Sequence, residues 1–322
     1  MTVFLTHKSS LQFWRLHRRA PDKYKFKKNW RMPPAKPPDT TSIQKALIRG
    51  IPAPLDVAVK VPEARRESQI TKPHVMSCHL PEGCFVEAGG GVFVSSPELC
   101  FFQMARELSL IRLIELGFEF CGTYSLAAEY TIRTNPVAAK VGLNVRRSLT
   151  TKKKLLAFSS RIKGERGTAK ALRALRYISD GSASPMETIL VMFLSLPCKL
   201  GGYGLPMPEL NARIDPVKAA KKSASKDYYF CDLYWPDAKV SVEYDSDTHH
   251  TGAERIASDN KRRNSLTVAG VNVITVTNQL IRSRKELEKV AKQLAAVTGK
   301  RLRTNTNPKF FEAQNELRTL LP

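Results

Sequence analysis

Between Val240 and Asp245 the chain alternates strictly. Val240, Val242 and Tyr244 are apolar, and Ser241, Glu243 and Asp245 are polar. That is the period of a half-buried strand. A second short apolar run, around Tyr228 to Trp235, precedes it, with the turn signal Pro236-Asp237 between the two. Together they predict an antiparallel hairpin. Elsewhere the pattern has the helical period. Ser10 to Arg19 reads as a short helix with Leu11, Phe13, Trp14 and Leu16 as its apolar members. Ser95-Ser96-Pro97-Glu98 opens a second helix with a Ser-x-x-Glu capping box and proline at the first helical position. A further helical run from Leu110 to Leu116 is predicted to end at Gly117. Thr168 to Ile178 keeps Ala171, Leu172, Leu175 and Ile178 on one side. The run ETILVMFLSLP, opened by Ser184-Pro185-Met186-Glu187, is apolar almost all round and so predicts a buried helix.

Strands are expected at Pro54 to Val61 and His74 to Leu80, with Gly89 to Gly91 as a hairpin tip. Those glycines are not a phosphate loop, because no G-K-[ST] follows. Near the C-terminus a helix is expected from Ala253 to Ala269, stopped by Gly270, then a buried strand from Val271 to Val276. A helix from Ser283 to Ala296 follows. The expected fold is α/β, α+β overall: a C-terminal mixed sheet flanked by helices, preceded by a smaller α+β module. The organisation expected is an N-terminal module over 1–130, a basic helical bridge over 131–182, a C-terminal domain over 183–300 and a polar tail over 301–322. The tail is open between a loose end and a short docking helix.

The candidate chemistry sits on and just after the hairpin. Asp232 lies in its first strand, and Glu243 and Asp245 close the second. Pairing brings Asp232 and Glu243 to similar heights, where their carboxylates can share a hard cation such as Mg²⁺ or Mn²⁺. Asp245 offers a third ligand. His249 and His250 follow directly, as proton shuttles or as plain loop residues. Lys261, Arg262 and Arg263 are candidate phosphate clamps, although Asp259 with Arg262 also suits a structural ion pair on one helix face.

The order D-x(10)-E-x-D, then HH, then D-x-x-R, resembles the domain-of-unknown-function 559 family. That family belongs to the PD-(D/E)XK restriction-endonuclease-like nucleases and is close to the very-short-patch repair endonuclease. The resemblance covers roughly Ala183 to Ala295. It implies a metal-dependent nuclease with Asp232, Glu243 and Asp245 as metal ligands and Glu187, on the first helix, turned into the active site. Glu187 also forms a capping box with Ser184, and the two roles are compatible. The superfamily lysine position holds Asp245, as it does in the 559-type group, and the glycine usual after it is Ser246. The N-terminal half bears a weaker resemblance to AbiEi-type antitoxins.

Charge widens the picture. The 322-residue chain carries 52 Lys plus Arg against 29 Asp plus Glu, a net +23, which favours a polyanionic partner. Arg133 to Arg176 holds thirteen basic residues and one acid, Glu165, with Lys152, Lys153 and Lys154 as its densest knot. It is either a solvated face or a DNA-contacting one. Lys23 to Arg31 interleaves lysines with Tyr24, Phe26 and Trp30, as a lysine-rich strand edge or a strand-tracking surface. Six cysteines form no C-x-x-C pair and read as buried thiols. His74, Cys78, His79 and Cys84 match no common zinc spacing.

No apolar run nears the roughly 20 residues of a membrane span, and the start lacks a signal-peptide core. The expectation is a soluble cytoplasmic protein with no membrane partner. The expected function is hydrolysis of DNA phosphodiester bonds in repair, restriction or mobile-element defence. Duplex DNA is the first substrate, RNA stays open, and a homodimer is an open alternative to a monomer. The competing reading is a non-catalytic DNA-binding regulator of antitoxin type on a nuclease-like scaffold. Retention of Asp232 and Glu243 favours the enzyme.

Overall fold

A computed structural model describes residues 2–16, 33, 38, 41, 43–44, 50–65, 67–76, 80–126, 144–162, 166–215, 228–245, 266–302 and 307–322. It is a mixed α/β structure with two mixed sheets and flanking helices. The chain divides into two compact units, Met1–Asp180 and Gly181–Pro322. The segments around Lys23 to Arg31 and Ala253 to Asn264 lie outside the described residues.

The N-terminal unit is built on a five-stranded sheet. Its strands are β1 (Val3–Leu5), β2 (Leu55–Val59), β3 (Thr71–Val75), β4 (Phe85–Gly89) and β5 (Val92–Ser95), in the order β3-β2-β1-β5-β4. β1 is the central strand. At three residues it is too short to show a period, so no strand is expected there from the pattern. β4 and β5 form the expected hairpin, with Gly89, Gly90 and Gly91 all at positive φ. Helix α1 (His7–Leu16) leaves β1 directly and packs on β2 and β5. It is buried almost all round, and Trp14 Nε1 donates to the Ser95 carbonyl at 2.9 Å.

Helix α2 (Pro97–Met104) is capped by Ser96, whose Oγ accepts the Leu99 N–H, and not by Ser95. Glu98 is therefore freed from a capping box, and its carboxylate accepts Thr150 Oγ1 at 2.5 Å. Helix α3 (Leu110–Cys121) runs straight through Gly117, where the sequence predicts a stop. Gly117 is there for close packing. A Cβ on it would lie 2.1 Å from Ile178 Cδ1.

Two short strands follow, β6 (Tyr124–Ser125) and β7 (Asn144–Val145), paired antiparallel. Helices α4 (Lys152–Arg161) and α5 (Thr168–Leu175) pack on α2, and α5 also packs on α3. The described part of the basic segment is therefore built into the N-terminal unit. On α5, Ala171, Ala174 and Leu175 are buried while Leu172 is exposed.

A buried ionic hub ties this unit together. Arg15 grips Glu119 with two bonds, Nε to Oε1 at 3.0 Å and Nη2 to Oε2 at 2.7 Å. Arg146 donates to the carbonyls of Trp14, Glu119 and Tyr124. Its side chain thus joins α1, α3 and β6 through bonds that desolvated polar groups require.

In the C-terminal unit, helix α6 (Pro185–Ser195) is capped by Ser184 and buries Ile189 through Leu194. The sheet contains β8 (Glu209–Ile214), β9 (Tyr229–Trp235), β10 (Val240–Asp245) and β11 (Asn272–Thr277), in the order β11-β10-β9-β8. The β9–β10 hairpin is present. β10 and β11 are parallel and the other pairs antiparallel. β8 has no counterpart in the sequence reading, although ELNARI alternates. Tyr229, Cys231, Leu266 and Val271 cluster in the core. Gly270, at φ 77, ends the preceding helical turn: its N–H bonds Thr267 O and the Val271 N–H bonds Leu266 O. That pair of bonds is a Schellman ending.

Helices α7 (Asn278–Arg282), α8 (Arg284–Val297) and α9 (Pro308–Arg318) complete the unit. The polar tail expected over 301–322 therefore carries a helix that buries Phe310, Gln314 and Leu317 against the rest of the unit. Gly201 is what lets it approach: a Cβ there would meet the Ala313 backbone at 2.6 Å.

Candidate active site

The strand registers align four residues across the C-terminal sheet. Leu210 faces Leu233 and Ala212 faces Cys231, which brackets Asn211 beside Asp232. Val242 faces Leu233, so the next step sets Glu243 beside Asp232. Glu243 faces Thr275 on β11. Asn211, Asp232, Glu243 and Thr275 therefore form one transverse row. Side chains on a row of paired residues share a face.

Each acid in the row is held by a donor. Asp232, half-buried, accepts the Tyr244 N–H through Oδ2 at 2.8 Å. Glu243 is buried, and Ser241 Oγ donates to its Oε1 at 2.5 Å. Ser241 lies two residues away, on the same face. Asn211 sits at φ 48, a left-handed conformation that asparagine tolerates better than most residues. Its Nδ2 donates to the Gly181 carbonyl and to Glu187 Oε2, both at 2.9 Å.

Glu187 is the residue that brings a helix to the row. Its Oε2 also accepts the Ala183 N–H at 2.9 Å, and its own N–H bonds Ser184 Oγ at 3.1 Å. Ser184 caps the helix, but Glu187 closes back on the Ala183 N–H and not on that of Ser184, so only half of the expected capping box is formed. Burial pushes the Glu187 carboxyl above its ordinary pKa, and the negative charge of Glu243 adds to that. The donors Ala183, Asn211 and Ser184 pull the other way without winning.

Asp245 ends β10 in an exposed position, opposite Thr277. Asp232, Glu243 and Asp245 do not form a set of three with all ligand atoms within 4.8 Å of one another; among the described residues only His7, His74 and Glu107 do so. The three-carboxylate convergence expected on the hairpin is thus absent. The reason is the strand rise: Asp245 stands two residues, roughly 6.6 Å, beyond Glu243. Glu187 is near enough for the charge of Glu243 to act on it, but with Asp232 and Glu243 it does not complete such a set either.

His249, His250, Lys261, Arg262 and Arg263 lie outside the described residues. In the N-terminal unit, Lys152, Lys153 and Lys154 form the first turn of α4. Lys153 and Lys154 are exposed, and the Lys152 N–H bonds Asp180 Oδ1 at 2.7 Å. Asn211 is a site residue that was not expected from the sequence. Its signals were the alternation of ELNARI and an Asn inside a strand-like run, where a left-handed residue interrupts the ladder.

No family model, curated protein or solved structure matches the chain. Among the described residues, no helix is long and apolar enough to cross a membrane.

The donor chemistry fits a hard cation. Mg²⁺ keeps several waters and is commonly held by one or two carboxylates, and Asp232 and Glu243 are two such neighbours on adjacent strands. Glu187, disfavoured as an anion by burial and by Glu243, is the kind of group whose charged form a nearby cation stabilises.

Proposed function

We propose that the C-terminal unit hydrolyses DNA phosphodiester bonds with Mg²⁺ or Mn²⁺. The observation that carries this reading is the row Asn211–Asp232–Glu243–Thr275 with Glu187 tied to it through Asn211. Asp232 and Glu243 would hold the ion. When bound, it supplies Lewis acidity towards the phosphate and acidifies a coordinated water. Ser241 and the Tyr244 N–H fix the orientation of the two carboxylates, so little reorganisation is needed on binding. Asn211 fixes Glu187 in the same way. Asp245 adds negative charge at the exposed end of the strand. His249 or His250 would move a proton, and Lys261, Arg262 and Arg263 would neutralise phosphate.

The polyanionic substrate is supported by the net charge of +23 and by α4. Three lysines occupy the first turn of that helix, where the positive end of the helix dipole disfavours them. A phosphate backbone laid there would relieve both.

The test is incubation of supercoiled plasmid with the full-length protein and Mg²⁺ or Mn²⁺, with and without chelator, beside Glu243→Gln. Metal-dependent nicking by the wild type alone is expected. Undiminished cleavage by Glu243→Gln overturns the proposal. So does failure of the wild type to cut duplex, single-stranded DNA or RNA.

A further inference from the structure

The N-terminal unit contains a side-chain cluster that the nuclease reading does not use. One ligand atom from each of His7, His74 and Glu107 lies within 4.8 Å of the other two. The three come from distant parts of the chain. His7 opens α1, His74 lies on β3, and Glu107 follows α2. Sequence spacing could not have joined them.

Two further observations point to a ligand. His7 is 3% exposed, and its Nδ1 has no hydrogen-bond partner. Gln103, whose Oε1 accepts the His7 N–H at 3.1 Å, is also buried, and its Nε2 lacks a partner. Buried polar atoms are nearly always paired. Two orphans on residues bonded to one another therefore require an explanation.

The geometry of the histidines supplies one. His74 Nε2 lies 2.6 Å from Asp56 Oδ1. Such a bond places the ring proton on Nε2 and leaves the Nδ1 lone pair for a metal. This is the carboxylate–histidine–metal arrangement. The His7 ring stacks on His74 with centroids 3.8 Å apart and planes 18° from parallel, so one ring must turn about its Cβ–Cγ bond before both in-plane lone pairs meet on one ion.

We propose that His7, His74 and Glu107 form a transition-metal site, with Zn²⁺ the ion that fits best and Asp56 orienting His74. The local charges decide between ions. Asp56 and Glu107 attract a cation, whereas Arg106 and Lys72 oppose one. An ion held by field strength alone, such as Mg²⁺ or Ca²⁺, gains little there. One that bonds imidazole lone pairs is favoured. Ligand atoms around tetrahedral zinc stand about 3.3 Å apart. The cluster therefore closes by roughly 1.5 Å at most, a movement that a rotamer change of the exposed Glu107 can contribute.

Three protein ligands leave a fourth position, as in zinc sites that bind water or substrate. A cavity of about 240 Å³ adjoins, lined by His7, Gln103, Arg106 and Arg166 among apolar side chains. It gives water or a small anion room to complete the coordination.

The test uses the full-length chain carrying Asp232→Asn and Glu243→Gln, which removes the other candidate metal site. Zinc is titrated calorimetrically into this metal-stripped protein. One equivalent should bind, with a rise in the thermal transition. Co²⁺ in its place should give the visible absorption of a tetrahedral site. Because His7 is buried and its replacement risks the fold, the decisive variants are Glu107→Gln, at an exposed position, and His74→Gln. Each should weaken zinc binding by about tenfold or more, and His74→Gln should also abolish the cobalt band. Absence of zinc binding overturns the proposal, as does binding of unchanged affinity in both variants.

Discussion

The Asp232 carboxylate accepts the Tyr244 N–H at 2.8 Å. A side chain from one strand thereby engages the backbone of its neighbour one residue past Glu243. The bond holds Asp232 at the height of Glu243 and gives both acids a fixed bearing.

The first prediction follows from that bond. Asp232→Asn keeps an oxygen able to accept from Tyr244, and Glu243→Gln keeps one for Ser241. Both should preserve the melting temperature while reducing metal-dependent cleavage by at least about 10²-fold, the scale of losing a positioned catalytic group. Glu187→Gln should also reduce cleavage, since Gln retains a bond to Asn211 but not the charge. Rates and melting curves measured with and without Mg²⁺ check all three. A collapse of the melting temperature in Asp232→Asn would assign the acid a structural role.

DNA binding should fall steeply with salt. Each neutralised phosphate contributes a slope of about −0.9 in log K against log salt. Replacing Lys152, Lys153 and Lys154 by Ala should flatten that slope by up to about 2.7 and weaken binding to unrelated sequences equally. Fluorescence anisotropy across a salt series measures it. A slope unchanged by the triple replacement would place the contact elsewhere.

The N-terminal unit should lose stability in acid through Glu119. Burial by itself would raise this carboxyl's pKa, but the charge and two hydrogen bonds of Arg15 outweigh it, with Arg146 and the Leu126 N–H adding. The group is held below its ordinary value of 4.5. As pH falls through that value, the unfolded chain takes up the proton before the folded one. The contribution is therefore full above pH 4.5 and is lost as pH falls towards the folded pKa. Glu119→Gln should cost about 3–5 kcal/mol at neutral pH, because it leaves the charge of Arg15 buried and unpaired. Its acid limb should be flatter. Urea unfolding at several pH values would show a variant as stable as the wild type if the pair is unimportant.

Gly117→Ala should destabilise the same unit by about 1–3 kcal/mol through overpacking. The added methyl would meet Ile178 Cδ1 at 2.1 Å and Cγ1 at 2.8 Å. Ile178→Val removes the closer of these atoms, so the double variant should recover part of the loss. Calorimetry on the two single variants and the pair gives the coupling. Additive effects would show that Ile178 is not what the methyl strikes.

Local pattern was enough for the hairpin. Strict alternation in Val240–Asp245 and the turn at Pro236-Asp237 fixed β9 and β10, and with them the adjacency of Asp232 and Glu243. The cap at Ser184 and the stop at Gly270 were legible for the same reason: each is decided by bonds within a few residues. The net charge was legible because it needs no fold at all. What the tertiary structure alone decided lies further apart in the chain. Asn211 joins Glu187 across 24 residues. Gly117 continues a helix because Ile178 presses on it, and the tail becomes α9 because Gly201 lets it close in. His7, His74 and Glu107 meet only through the packing of a sheet and two helices. Periodicity and capping report on neighbours along the chain, whereas these contacts depend on which surfaces fold against one another, and no short window of sequence contains both sides of such a contact.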